Sequence, residues 1–193
     1  MEILLYLTGI TLFLITITIV VKINKLKNIK YKAPEILFDK KILTVYYSNM
    51  RNTKKIAQNL HSIVGGDIKE IELIEKYPNN IFKMSNVVRK QIKDNCFPNI
   101  DNIDISEYDI IFIGSPVWNF SISLPMKSFL KNNDFKNKTL IPFFTCSGGA
   151  SKNKVIREIS ELTDTKNVKK PLIMFEDGII FTNEQIINWL NNL

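Results

Sequence analysis

Histidine is almost missing from this chain; His61 stands alone, beside the apolar Leu60 in a helical stretch. A solitary imidazole leaves no partner for a zinc cluster or a serine–histidine pair, and reads as a surface or boundary residue. Cysteine is scarce too. Cys96 and Cys146 lie in unlike contexts without CxxC spacing, so free thiols in a reducing compartment are expected. No GxxxxGK[ST] occurs, which removes a P-loop nucleotidase. There is no arginine stripe and no aromatic–basic interleaving, so the net charge of +7 carries no nucleic-acid footprint. Internal repeats and low-complexity tracts are absent.

What is present begins with a long apolar run. Residues 3–21 contain no charge and only Thr and one Gly among apolar side chains. As a helix these 19 residues would rise about 28 Å, close to the roughly 30 Å hydrocarbon core of a bilayer. A signal peptide would carry its positive charge first; here Glu2 precedes the run and Lys22, Lys25, Lys27, Lys30 and Lys32 follow it. That bias predicts an uncleaved single-pass anchor at the cell membrane with the C-terminal side cytoplasmic. The expected organisation is a transmembrane signal anchor over 1–21, a basic juxtamembrane linker over 22–40 and a globular domain over 41–193. In residues 1–40 six lysines against Glu2, Glu35 and Asp39 leave +3, so the domain carries the remaining +4. The 45% hydrophobic content is enough to give it a proper core.

The domain is organised around residues 41–64. Ile42, Leu43, Val45, Tyr46 and Tyr47 read as a strand buried on both faces. Six polar or irregular residues follow, Ser48-Asn49-Met50-Arg51-Asn52-Thr53. A helix is expected over 54–64 from Ile56, Ala57, Leu60, Ile63 and Val64, stopped by Gly65-Gly66. Strand, polar loop and helix N-terminus together make an anion site, because loop amides and unpaired helix N–H groups converge there. Arg51, Lys54 and Lys55 crowd this corner, with no acid before Asp67. A docked anion would make these cations favourable at a helix end that otherwise prefers acids; splaying into water is the other reading.

Further along, strand and helix signals alternate. Residues 67–73 alternate like an edge strand, 81–93 read as a helix and 96–104 as a loop. Residues 108–113 form a second buried strand ended by Gly114-Ser115-Pro116, with a helix through Met126, Phe129 and Leu130. Residues 139–145 are the third buried strand, ending at Cys146-Ser147-Gly148-Gly149, with a helix on Val155, Ile156, Ile159 and Leu162. A last strand is expected at 170–175 and a last helix over 182–193, with Thr182 and Gln185 as a capping box. Five strands with intervening helices predict a doubly wound parallel sheet. Its ligand would lie where the winding reverses, at loops 48–53, 115–120 and 145–150.

These loops resemble those of the flavodoxins, which hold FMN on a five-stranded parallel sheet of order 2-1-3-4-5 in a three-layer α/β sandwich. The similarity covers nearly all of 41–193, and is greatest to short-chain members with a proline–hydrophobe–tryptophan second loop. Family first loops read Ser/Thr-x-Thr-Gly-x-Thr; Ser48, Asn52 and Thr53 match, whereas Met50 and Arg51 stand at the usual Thr and Gly. Gly114-Ser115-Pro116-Val117-Trp118, Leu124-Pro125-Met126-Lys127-Ser128-Phe129-Leu130 and Thr145-Cys146-Ser147-Gly148-Gly149 fit the family pattern. The resemblance implies that Ser48, Asn49, Asn52 and Thr53 donate to the FMN phosphate, beside Met50 and with Arg51 as a charge clamp. It implies that Trp118, with Phe120, flanks the isoalloxazine ring. The backbone from Pro116 and Val117 to Asn119 would lie near N5, and Thr145, Cys146, Ser147, Gly148 and Gly149 would meet the pyrimidine edge. No acid, base or nucleophile is needed, since a flavin carries the redox chemistry. The expected function is electron transfer or flavin-dependent reduction, with a redox partner protein or quinone-like acceptor at the membrane. A phosphoacceptor receiver would need acids where Ser48 and Gly114-Ser115 stand. A flavin-free binding or scaffold module tethered to the membrane is the alternative.

Overall fold

A computed structural model describes residues 2–27, 31–148, 151–175 and 183–193, with side chains at 2–7, 19, 22–27 and 81 outside the description. Two compact units result, Met1–Lys32 and Ala33–Leu193. The first is helix α1, Glu2–Lys27, which runs past the expected boundary at 21. Thr11, Thr16 and Thr18 turn their hydroxyls back onto the carbonyls of Thr8, Leu12 and Leu14. Leu12, Phe13, Leu14 and Ile15 are all exposed. Among the described residues no helix is long and apolar enough to cross a membrane, so the expected spanning helix is not supported there.

In the second unit the elements follow the expected alternation. After a 3-10 turn at Glu35–Leu37 come β1 (Ile42–Tyr46), α2 (Asn52–Val64), β2 (Asp67–Glu70), α3 (Ile81–Lys93), β3 (Ile110–Trp118), β4 (Ser121–Ile122), α4 (Leu124–Asn132), β5 (Thr139–Cys146), α5 (Lys152–Thr163), β6 (Leu172–Phe175) and α6 (Asn183–Leu190). β1 is buried at every position, Thr44 included, as its nearly continuous apolar run predicts, whereas β2 alternates exposed and half-buried like the sheet edge it is. α3 starts where Asn80 caps it, its Oδ1 accepting from the amides of Phe82 and Lys83. The capping-box residue Thr182 lies outside the described residues.

The parallel path runs β2-β1-β3-β5-β6, with the winding reversing between β1 and β3. Helix α2 packs with α6, and α4 with α5. One expectation needs correction: the sheet has six strands, not five. The sixth, β4, pairs antiparallel with the end of β3, Val117 opposite Ile122 and Trp118 opposite Ser121. Pro116-Val117-Trp118 is therefore strand rather than loop. Proline hides this in a sequence, but here it sits near the strand's end, where a missing N–H costs little. The expected edge strand over 67–73 is also shorter, ending at Glu70.

Two glycines hold the sheet's neighbours close. A Cβ at Gly114 would lie 2.2 Å from Phe143 Cζ and 2.9 Å from Tyr46 Cβ. Gly66, with φ +79°, turns directly over the Ile42 carbonyl, 2.3 Å from where its Cβ would be.

Candidate functional site

At the switch between β1 and β3 a cavity of about 190 Å³ opens, lined by Ser48, Asn49, Met50, Asn52, Thr53, Met84, Pro116, Val117, Trp118, Thr145 and Ser147. Residues from all three expected loops meet there. Arg51, Asn119, Phe120, Cys146 and Gly148 do not line it, and Gly149 lies outside the described residues.

The floor is the start of α2. That helix begins at Asn52, two residues earlier than its apolar spacing predicts, so Asn52 and Thr53 are its first helical residues. Amides in a first turn have no intrahelical acceptor, and no acid occupies this one. Arg51, the N-cap, adopts the left-handed conformation (φ 63°, ψ −4°) at the position where relatives by resemblance carry glycine. For a non-glycine residue that costs about 1–2 kcal/mol. Thr53 is pinned by a buried hydrogen bond to Thr145 across the cavity's base, Oγ1 to Oγ1 2.9 Å. The first and third loops are thereby tied together. Among the described residues the buried Ser48 hydroxyl has no hydrogen-bond partner. An orphaned hydroxyl costs free energy unless something outside the chain completes it. Together with the open amides of α2, it fits an anionic group bearing several acceptor oxygens.

Electrostatics at this corner differ from the sequence expectation in one respect. Lys54 is not an unbalanced cation: its Nζ donates to Glu70 Oε2 at 2.6 Å, and the same oxygen accepts from Tyr46 Oη at 3.0 Å. Glu70 is distant in sequence, and only the pairing of β2 with β1 brings it beside α2. Among the described residues Arg51 has no carboxylate at ion-pair distance, so its charge remains available.

The apolar wall is Trp118. Its ring meets Tyr47 edge-on at 5.8 Å and Tyr77 at 6.0 Å, so it packs on a neighbouring segment and faces the cavity as well. Burial, reinforced by the charge of Glu70, pushes the Tyr47 phenol up to about 12. Tyr77, raised chiefly by burial, donates to Gln91 Oε1 at 2.8 Å. Beyond Trp118 the chain turns through Asn119 (φ 49°) and Phe120 (φ 61°), both left-handed, the signature of a two-residue type I′ hairpin turn. Asparagine tolerates this; phenylalanine does so at a cost of about 1–2 kcal/mol. Phe120 is 62% exposed at the turn's tip and does not line the cavity. The Cys146 side chain is buried at the end of β5.

Met84 was not foreseen. Its sulfur accepts from Asn49 Nδ2 at 3.1 Å, closing the cavity from α3. In sequence it is indistinguishable from a core position of an amphipathic helix. Tyr47 and Tyr77 carry no site signal either.

A sequence model of the flavodoxin family matches residues 41–193. No curated protein matches the sequence. Among solved structures, a flavoprotein from Lactobacillus acidophilus NCFM in complex with FMN is 31% identical, with a TM-score of 0.61 over 78% of this chain and 98% of that one. A candidate flavoprotein from Bacteroides eggerthii is 26% identical, with a TM-score of 0.66 over 80% of this chain and 98% of that one. A WrbA-like flavodoxin from Agrobacterium tumefaciens, at 12% identity and a TM-score of 0.51 over 80% of this chain and 94% of that one, shares the fold. With the fold, the switch-point cavity and a family match over residues 41–193, this chain belongs to the flavodoxin family.

Proposed function

We propose that this protein binds FMN at the switch-point cavity and serves in electron transfer or flavin-dependent reduction at the cytoplasmic face of a membrane. The observation that carries the cofactor is the unpartnered Ser48 hydroxyl, buried beside the open first turn of α2. A phosphate dianion would accept from Ser48 and from the amides of Asn52 and Thr53, with the Arg51 guanidinium as counter-charge. Trp118 would lie along the flavin ring and Val117 near its central nitrogen, with Thr145 and Ser147 at the polar edge. When bound, the flavin supplies the one- or two-electron chemistry, and the chain's own part is to hold and orient it. Purified protein tests this directly: a yellow solution with flavin absorbance, and FMN released on denaturation, is expected. Colourless protein that also fails to take up micromolar FMN would leave the flavin-free module in its place, a reading favoured by Met50 and Arg51 standing where the family has Thr and Gly.

The membrane placement rests on the charge-free run 3–21 and the five lysines after it. Threonine hydroxyls satisfied within α1 suit an apolar surrounding. Tethering then raises the effective concentration of a membrane-bound redox partner or quinone-like acceptor, with steering by the domain's own charge secondary. Protease added to intact cells is expected to spare residues 41–193; digestion from outside would overturn the orientation.

A further inference from the structure

The hairpin that carries Trp118 is held from an unexpected quarter. Glu158, in the middle of α5, reaches β4 and accepts from Ser121 Oγ at 2.6 Å through Oε1 and from the Ile122 amide at 3.1 Å through Oε2. Lys127 of α4 donates to the same carboxylate at 2.5 Å, and both charged side chains are mostly shielded, at 17% and 19% exposure. On the other side Ser115 Oγ, within β3, accepts from the Ser123 amide at 3.0 Å and bonds the Ser123 hydroxyl at 2.9 Å. Between these anchors lies the left-handed Asn119-Phe120 turn. A two-residue strand cannot hold a strained turn by its own pairing. A half-buried carboxylate satisfied by three donors can, because releasing the hairpin would leave that charge short of partners. Glu158 thus stands on the helix that follows the third loop in the chain, while its contacts are to the hairpin carrying Trp118.

We propose that Glu158 is a positioning residue for the cofactor site: braced by Lys127, it locks the Asn119–Phe120 turn and thereby fixes Val117 and Trp118 on the cavity wall. The proposal rests on the flavin reading above for its functional consequence, but not for the clamp itself.

A double-mutant cycle on the full chain tests it. Glu158→Ala is expected to weaken FMN about tenfold, the loss of a charge-assisted contact set, and to shift the one-electron midpoint potential. Phe120→Gly restores the Asn-Gly pair that type I′ turns favour, so the turn no longer needs a clamp. In that background Glu158→Ala is expected to cost little affinity and to leave the potential nearly where Phe120→Gly alone puts it. Equal losses in both backgrounds, or no change of affinity and potential on Glu158→Ala, would overturn the proposal. Amide hydrogen exchange at residues 118–122 without FMN separates the two readings. Exchange that quickens on Glu158→Ala, and is restored to a small effect by Phe120→Gly, supports the clamp even if the protein binds no flavin. Unchanged exchange sinks it.

Discussion

Arg51 is the residue whose replacement discriminates most sharply. Its backbone is left-handed and its side chain exposed, at the N-cap of α2 and without a carboxylate partner among the described residues. Arg51→Ala keeps the strained backbone and removes the guanidinium. Arg51→Gly removes both. Relief of left-handed strain stabilises by about 1–2 kcal/mol, of which about 0.4–1 kcal/mol is lost to the freer unfolded chain. The flavin-free glycine variant is therefore expected to be about 0.5–1 kcal/mol more stable than the parent in urea titration, and the alanine variant no more stable. Ligand binding moves oppositely. A charge-assisted bond to phosphate is worth about 1.5–3 kcal/mol, or ten- to a hundredfold. Because Arg51 is exposed and screened, the lower end applies. FMN should bind Arg51→Ala about tenfold more weakly, whereas riboflavin, which lacks the phosphate, should bind as before. Fluorescence titrations of both flavins against parent and variants give that ratio, and raising salt should shrink it. An unchanged FMN-to-riboflavin ratio in Arg51→Ala refutes the clamp. Tighter FMN binding by Met50→Thr combined with Arg51→Gly would show instead that the natural pair obstructs the site.

Ser48→Ala should raise the thermal midpoint of flavin-free protein, since it deletes a buried hydroxyl without a partner, a defect worth about 1–3 kcal/mol. The same change should lower FMN affinity; calorimetry with and without FMN reads both, and a destabilised flavin-free form would contradict the reasoning. Gly114→Ala drives a methyl into Phe143 and the Tyr46 side chain, so a loss of about 1–3 kcal/mol is expected in denaturant unfolding. Wild-type stability there would mean that β3 can shift. Tyr47 and Tyr108 are both raised to about 12, chiefly by burial. A phenol with a raised folded-state value binds its proton more tightly folded than unfolded, so its stabilisation is complete below pH 10 and fades as pH approaches 12. Unfolding monitored across pH 9–12 should show that decline, with tyrosinate absorbance rising steeply at the transition rather than gradually from pH 10.

The alternation of strands and helices and the parallel sheet were legible in the residues themselves, whereas the strand order came with the resemblance to the flavodoxins. Nearly continuous apolar runs such as 42–47, broken only by Thr44, have one comfortable home, a strand covered on both faces, and the helices between them dictate parallel pairing. Glycine before Ser115 and the helix stop at Gly65-Gly66 are local conformational demands, visible without any neighbour. What the tertiary structure alone decided are contacts between residues far apart in the chain. Glu70 neutralises Lys54 because β2 lies beside β1, and Met84 closes the cavity because α3 leans toward Asn49. Thr53 meets Thr145 for the same kind of reason, since strand ends that are remote in sequence converge at one edge of the sheet. Strand β4 escaped detection because two residues carry no periodicity, and its place is set by Glu158 on another helix. Local patterning fixes which face of each element is buried; the identity of the side chain that meets it is a property of the packed whole.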